Sequence, residues 1–207
     1  MKHQIDGTVV ADTPTSISAA SSTTSPPGPG GFRPSLFSLI RSDLRAKAEW
    51  LYGGSSGRAL VKTLLTDGTF AMIVYRLMQA SQRRRLVPFA MIFNKINGIW
   101  GACIIGRGAD FGPGFVLIHS DGVVINGSVR GGSNIKVEHQ VTIGAERYQS
   151  PVLGNDIFIG AGAKIVGQLS IGSGVRIGAN AVVIADVPDG ATAVGVPARN
   201  LMRNSAT

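Results

Sequence analysis

The chain of 207 residues has little cysteine, few aromatic residues and few charges. Its single cysteine, Cys103, excludes an intramolecular disulfide framework and a zinc site built from cysteines, which suits a reducing compartment. Aromatic residues make up 6% of the chain while 44% is hydrophobic, so we predict an aliphatic core. No apolar run approaches the roughly 20 residues that span a bilayer, and the amino terminus lacks the apolar segment of a signal peptide. We therefore expect a cytoplasmic protein.

Glycine and positive charge are what the chain has in excess. It contains 28 glycines but only 10 prolines and no Gly-X-Y run, which excludes collagen, and its hydrophobic content excludes general disorder. Lysine and arginine number 20 against 12 acidic residues, giving a net charge of +8 that favours a polyanionic, lipid or phosphorylated partner. No nucleic-acid-binding motif accompanies these basic residues, so we expect no nucleic-acid partner.

The amino-terminal part divides into a tail and a helical segment. Residues 1–34 are rich in Ser, Thr, Pro and Gly, and too few large apolar residues are present to offset the entropy of ordering, which predicts a disordered tail. Over residues 35–97, apolar side chains recur at threes and fours, which predicts α-helices. We expect one helix from Leu36, with Ser35 as its N-cap, to the glycine-rich break at 53–57, and others over 58–65, 70–82 and 88–97.

From Ile99 the periodicity changes to six residues. Every sixth position from Ile99 to Val183 gives fifteen residues, and all but Arg147 are large and apolar. This period fits neither an α-helix nor an alternating strand, but it is typical of a parallel β-helix in which three strand-and-turn units make a coil of about 18 residues. We predict a mainly β fold with about five coils over residues 98–188. Residues 189–207 would form a tail over the last coil, and Arg147 would lie in a turn pushed outward.

These repeats resemble a known superfamily. Together with IGAGAKIVG (159–167), IGANAVV (177–183) and AVGVPARNL (193–201), they resemble the hexapeptides of the left-handed β-helix acyltransferases, which bind acetyl-CoA. The left hand is implied by this resemblance and departs from the usual right-handed crossover. Residues 118–144 resemble the serine O-acetyltransferases. The VVIN and EHQVTIG segments and the pair Tyr75-Arg76 are closer still to exopolysaccharide acetyltransferases of the colanic-acid type. The resemblance covers residues 70–202.

Acetyl transfer from a thioester to a hydroxyl needs a base that accepts the hydroxyl proton. Histidine suits this role, since its unperturbed pKa lies near about 6.5. Of the three histidines, His3 lies in the predicted tail and is excluded. His119 lies two residues after Leu117 at an outward position and matches the catalytic histidine of the serine acetyltransferase motif, so we predict that it is the base. Cys103 falls on an inward position, so we expect no acyl-enzyme.

The residues around the base leave alternatives open. His139 falls on a nominally inward position eighteen residues after Asp121, so the two side chains are candidates to stack on adjacent coils. Either His139 lines the site, or it forms a satisfied polar pair inside the prism. Asp121, Asn126 and Glu138 are the candidates to line the site and to orient His119.

The acceptor side departs from the serine acetyltransferase pattern. The resemblance places an aspartate and a histidine one coil before the base, where this chain has Gly98 and Trp100. A second substrate histidine is replaced by Ser150, and the motif's Gly-Glu becomes Asn126-Gly127. These departures favour a sugar hydroxyl in exopolysaccharide biosynthesis over L-serine as the acceptor. An inactive β-helix scaffold is the third alternative.

The donor side retains the pattern. The resemblance assigns the pantetheine arm of acetyl-CoA to the small residues Gly160, Ala161, Gly162 and Ala179. Lys164 and Arg199 are candidates to bind the CoA phosphates, although a lysine of the superfamily pattern is Ala185 here. We expect acetyl-CoA as the donor, no metal, and a homotrimer with sites between neighbouring subunits.

A basic triplet, Arg83 to Arg85, precedes the apolar segment LVPFAMIF. One interpretation is an amphipathic helix that touches anionic lipid, which implies peripheral membrane contact on the cytoplasmic face. The other is a solvated loop followed by a helix that packs on the first coil.

Overall fold

The computed structural model describes residues 34–146 and 149–202, so nearly all of the predicted tail, together with Arg147, lies outside the described residues. Four helices come first: α1 Leu36–Tyr52, α2 Gly57–Leu64, α3 Thr69–Arg83 and α4 Val87–Trp100. None of the helices in the described ranges combines the length and the apolar character needed to cross a membrane.

Capping residues explain where the helices begin and end. The Ser35 side chain accepts a hydrogen bond from the Ser38 N–H at the start of α1, and Gly53 ends that helix in the left-handed conformation with φ 70°. Both features confirm the predicted boundaries of the first helix. The fourth helix is longer than predicted: it continues to Trp100. Ile99, counted above as the first hexapeptide residue, is therefore helical and 75% exposed.

Fifteen short strands follow the helices. They are β1 Ile104–Ile105, β2 Asp110–Phe111, β3 Val116–Leu117, β4 Val124–Ile125, β5 Arg130–Gly131, β6 Lys136–Val137, β7 Thr142–Gly144, β8 Val152–Leu153, β9 Phe158–Ile159, β10 Lys164–Val166, β11 Ser170–Ile171, β12 Arg176–Ile177, β13 Val182–Val183, β14 Thr192–Gly195 and β15 Ala198–Leu201. The first strand thus begins at Ile104, beyond the predicted start of the β-helix at residue 98.

The strands form a three-sided parallel β-helix, which confirms the predicted fold class. The first side contains β1, β4, β7, β10 and β13, the second β2, β5, β8 and β11, and the third β3, β6, β9, β12 and β14. These strands make four complete coils. In a partial fifth coil, a single bridge between Ile171 and Val187 takes the place of a strand on the second side.

The coils differ in the number of residues they contain, although the six-residue period of the sequence does not show it. Leu117 pairs with Val137, 20 residues further on, whereas Ile125 pairs with Ile143, 18 residues further on. Val137 pairs with Ile159 at a separation of 22 residues. Two extra residues therefore lie between β3 and β4, and four lie between β7 and β8.

The two insertions together equal one hexapeptide, so the every-sixth-residue series regains its phase after the second. Between the insertions, that series falls on the second buried position of each repeat: Val123, Val129, Ile135 and Val141. The strand positions that face the interior there are Ile125, Gly131, Val137 and Ile143. The predicted core residues are buried, but the predicted register between coils is wrong in this stretch.

The first coil has an open edge with backbone groups to satisfy. N–H groups of each coil donate to both neighbouring coils, as from Ile104 to Val123 of the next coil and from Gly162 to His139 of the preceding one. Because no strand precedes β1 in the described chain, the carbonyls at this open edge need donors from elsewhere.

Buried or partly buried polar side chains of the helices supply those donors. We call Lys47, Tyr75, Arg76 and Asn94 the edge cap. Their bonds to the first coil are Asn94 Nδ2 to the Ile105 carbonyl (2.7 Å), Tyr75 Oη to Ala109 (3.1 Å), Arg76 Nη1 to Phe111 (2.8 Å), Arg76 Nη2 to Gly112 (2.6 Å) and Lys47 Nζ to Leu117 (2.8 Å). The pair Tyr75-Arg76, noted above as part of the resemblance, thus has a structural role.

Asp43 holds the arginine of the edge cap in place. Its carboxylate accepts from Arg76 Nε at 2.6 Å and Nη2 at 2.9 Å, and both residues are buried. The same carboxylate accepts the backbone N–H groups of Gly114 and Phe115 at 2.9 and 3.0 Å. A buried ion pair of this kind depends on both partners, because a lone charge left in the interior is costly.

The basic triplet lies at the junction of α3 and α4. Arg83 ends α3 and forms a partly exposed ion pair with Asp110 at 2.6 Å. The following helix exposes Phe89, Met91 and Ile92. Contact with a membrane through this helix stays a prediction.

The carboxy-terminal segment closes the third side. β14 pairs in parallel with β12, and β15 then pairs with β14 in the antiparallel direction. A hairpin of residues 192–201 therefore covers the last coil.

We predict that Arg76→Met lowers the free energy of unfolding by about 3–5 kcal/mol, because it leaves the Asp43 carboxylate buried without its partner. Arg83→Gln removes the exposed pair with Asp110 and should change stability by less than about 1 kcal/mol. Urea denaturation followed by circular dichroism measures both variants. Equal losses in the two would contradict the assigned role of the edge cap.

Candidate active site

Residues two positions after the paired residues Leu117, Val137, Ile159, Ile177 and Ala193 of the third side form a line along one edge of the prism. The strand register places them in the order His119, His139, Ala161, Ala179 and Gly195, and we call this line the corner column. Backbone bonds join its levels, as from Gly162 N to the His139 carbonyl and from Asn180 N to the Ala161 carbonyl. The predicted base and the predicted donor-binding alanines therefore share one edge of the molecule.

A cavity of about 720 Å³ opens at the His119 end of the corner column. One wall is the α2–α3 connection with the start of α3, and another is the end of α4. The floor is the segment 119–121 with His139 from the next coil. The two-residue insertion after Leu117 lies in this segment, so the extra chain length of the coil is located beside the cavity.

His119 projects into this cavity with a side chain that is 51% exposed. Its Nδ1 atom lies 3.4 Å from Oδ2 of Asp67 in the α2–α3 connection. A contact at Nδ1 leaves Nε2 for an acceptor hydroxyl, which is the arrangement that a general base requires. Asp67 was not among the residues chosen from the sequence, since a single aspartate in a turn between helices matches no motif.

His139 faces outward rather than inward, contrary to the expectation from the six-residue series. Its ring lies 6.0 Å from the ring of His119, centroid to centroid, in an edge-to-face orientation. Counted from β3 and β6, the register aligns His139 with His119. The two extra residues lie before Asp121, because the Gln140 N–H donates to the Asp121 carbonyl just as the Gly162 N–H donates to that of His139. The backbone thus places Asp121 one coil before His139, as the spacing of eighteen residues predicted.

The structure separates the other candidates for orienting the base. Asp121 lines the cavity. Glu138 lies beside His139, with its Oε2 atom 3.7 Å from His139 Nδ1. Asn126 follows β4 at a different corner of the prism and accepts hydrogen bonds from the backbone and side chain of Ser128. Of these three, only Asp121 shares the cavity with His119.

The donor-side residues lie further along the corner column. A Cβ atom at Gly160 would lie 2.7 Å from the Ala179 nitrogen, and Gly162 adopts φ +73°, so both positions depend on glycine. Ala161 lies between these two glycines and Ala179 lies one coil further on, so this part of the corner column carries only small side chains. An extended thioester arm fits against such a surface, because nothing larger than a methyl group keeps it from the backbone.

The two predicted phosphate ligands occupy different surroundings. Lys164 Nζ donates to the carbonyl of Gln140, so its ammonium group is held near His139. Arg199 lies exposed on β15, opposite Val194 in the terminal hairpin. Arg199 is therefore at the far end of the column from His119, where the distal part of a long donor would lie.

Cys103 is buried in the core of the first coil. Burial raises the pKa of its thiol to about 12. The thiolate needed for nucleophilic attack is therefore scarce at neutral pH, in agreement with direct transfer of the acyl group.

The fold and the site define the class of protein. A family model described as bacterial transferase hexapeptide (six repeats) matches residues 150–185. A serine acetyltransferase of Helicobacter pylori is 37% identical over 174 residues, which cover 82% of this chain and 96% of that protein. The chain is an acyltransferase with hexapeptide repeats. It belongs to the serine acetyltransferase family.

Solved structures agree with this assignment. Soybean serine acetyltransferase complexed with serine is 34% identical and superposes with a TM-score of 0.73, covering 82% of this chain and 70% of that one. A serine acetyltransferase in complex with CoA is 26% identical with a TM-score of 0.73, covering 80% and 69%. These relatives carry the serine acetyltransferase name, so the predicted closeness to exopolysaccharide enzymes gains no support from them.

Proposed function

We propose that this protein transfers the acetyl group of acetyl-CoA to the hydroxyl of L-serine. The observation that carries the proposal is the placement of His119 in a cavity, at the end of a column of small residues, in a chain related to serine acetyltransferases over most of its length. The exopolysaccharide acceptor that the sequence favoured becomes the second candidate.

In the proposed reaction, His119 Nε2 accepts the proton of the acceptor hydroxyl as the hydroxyl oxygen bonds to the acetyl carbon, while Asp67 faces Nδ1. The bond between that carbon and the CoA sulfur breaks, and CoA leaves as a thiol that takes the proton. Acetyl-CoA supplies an acetyl thioester. Gly160, Ala161 and Ala179 would hold its arm along the corner column, with Arg199 at the phosphate end. The ammonium group of serine would meet the Asp121 carboxylate, which lines the cavity.

His119→Ala should lower the turnover of L-serine by roughly 10²- to 10⁴-fold, which is the usual contribution of a general base. Thiol release from acetyl-CoA measures the rate, and His3→Ala is the matched control with unchanged turnover. Full activity in His119→Ala would overturn the assigned role. Failure of the unaltered protein to bind CoA by calorimetry would instead favour an inactive scaffold.

A sugar hydroxyl is the second candidate acceptor, and the lining of the cavity favours it. Among the described residues, those that line the cavity include no lysine or arginine that could pair with the carboxylate of serine. They do include Phe70 and Trp100, and Trp100 is 77% exposed. A planar, exposed ring beside a base offers an apolar surface to the C–H face of a neutral sugar.

The two acceptors make opposite predictions for Trp100→Ala. With a sugar acceptor, loss of the ring should raise KM for the acceptor roughly tenfold, in line with the loss of about 1.4 kcal/mol of binding. With L-serine, KM for the acceptor should change less than about twofold. Steady-state rates with L-serine and with a panel of glycosides decide between them, and activity on neither would reject both.

We also propose that the protein is a homotrimer whose sites are completed by a neighbouring subunit. Ile99 and Ile104 are exposed beside the cavity, and exposed apolar side chains of this kind are typical of an interface. Trimers are plausible for proteins with hexapeptide repeats, and a trimer would cover these side chains.

Light scattering of the purified protein should therefore give three times the mass of the chain. Ile104→Lys should reduce that mass and lower acetyltransferase activity together, because a charge at this covered position opposes association. Val152→Lys, on the exposed face of the second side, serves as the control with unchanged mass. A fully active monomer would contradict the proposal.

A further inference from the structure

We propose that Asp67 positions the His119 side chain for catalysis and that Lys47 holds Asp67 in place, so that the helical segment forms part of the catalytic machinery. This inference rests on the proposed role of His119 as the base. It concerns the α2–α3 connection, which the hexapeptide pattern does not include.

Lys47 joins the two pieces of chain that carry Asp67 and His119. Its ammonium group donates to the carbonyl of Asp67 and, at 2.8 Å, to the carbonyl of Leu117, two residues before His119. The side chain is fully buried. One cation therefore fixes the backbone at both members of the Asp67–His119 contact.

The electrostatics of Lys47 agree with a fixed position. Burial lowers its pKa to about 8, and the nearby Asp67 carboxylate opposes that change. A buried ammonium group that has lost its water needs both of its carbonyl partners. The group is therefore held tightly, in contrast to a surface lysine that moves among many rotamers.

The α2–α3 connection is built to approach the strand closely. Gly68 adopts φ +73°, and a Cβ atom there would lie 2.5 Å from the Leu117 carbonyl oxygen. Thr69 Oγ1 donates to the Thr63 carbonyl at 2.7 Å and Thr66 Oγ1 donates to the same carbonyl at 2.8 Å, which ties the turn together. The Asp67 backbone is thus fixed although its side chain is exposed to the cavity.

The other candidates to orient His119 do not contact its Nδ1 atom. Gly98, which stands where the family pattern has an aspartate, has no carboxylate. Glu138 faces His139 rather than His119. Asp121 lines the cavity, but the contact at Nδ1 of His119 is made by Asp67.

The first test is Asp67→Asn, which keeps the shape of the side chain and removes its charge. We expect kcat to fall roughly 10- to 100-fold, a part of the 10²–10⁴-fold contribution of the base, while KM for acetyl-CoA stays within about twofold. Asp67→Glu should recover part of the rate. Asp156→Asn changes an exposed acid in the turn before β9 and is the matched control with unchanged kcat.

A spectroscopic measurement separates positioning from general structural damage. In protein labelled with ¹⁵N at histidine, the Asp67 contact should favour the tautomer with the proton on Nδ1 of His119. Asp67→Asn should shift that signal toward a mixture of tautomers, with the His139 signal little changed. An unchanged His119 signal together with unchanged kcat would overturn the proposal.

The second test is Lys47→Met combined with Asp67→Asn. If Lys47 acts through Asp67, the double variant should be about as slow as the slower single variant, because the two losses are not independent. Multiplied losses would contradict that part of the proposal. Should Lys47→Met fail to fold, the Asp67 variants and the ¹⁵N spectra still decide the role of Asp67. Failure of the proposed function would look different, since the unaltered protein would then not turn over L-serine, whereas the ¹⁵N signal of His119 would still report the Asp67 contact.

Discussion

The structure depends on the donors and acceptors that the helices bring to the open edge of the first coil. The first coil of a parallel β-helix presents both carbonyls and N–H groups to whatever lies before it. Water would satisfy these groups, but a packed helical segment must do so with side chains. Here Tyr75 Oη accepts the N–H of Phe111, and the Asp43 carboxylate accepts those of Gly114 and Phe115. This requirement explains why Lys47, Tyr75 and Arg76 are buried, and why Asp43 is buried beside Arg76. Individual side chains of the helices are thus matched to individual backbone groups of the first coil.

The same requirement shapes the candidate site. Lys47 is placed to satisfy the Leu117 carbonyl, and from that position it also contacts the carbonyl of Asp67. The two extra residues after Leu117 then carry His119 toward the α2–α3 connection. Stability and catalysis consequently draw on the same buried cation. A change that loosens the edge of the β-helix therefore acts on the contact between Asp67 and His119, even where it leaves the cavity lining intact.

Much of the fold could be predicted from the sequence, and the reasons for the failures are specific. The hexapeptide period identified the β-helix because the two insertions sum to six residues and restore the phase. Ser35 and Gly53 defined the first helix through capping. The orientation of His139 was wrong because register between coils depends on insertion length at each corner, which composition does not record. Asp67 was missed because its partner lies 52 positions away in the chain, and only the packing of α1 and α3 on the first coil brings the two together.

The corner column also sets the distance between His119 and the terminal hairpin. Each coil advances it by about 4.8 Å, so the four steps from His119 to Gly195 span roughly 19 Å. The distance between the histidine and the cationic hairpin that carries Arg199 is therefore set by a whole number of coils. Deleting or duplicating one coil would change the length of donor that fits by one such unit, while every side chain at the histidine end kept its neighbours. Repeat number in this architecture is thus a means of selecting ligand length independently of chemistry.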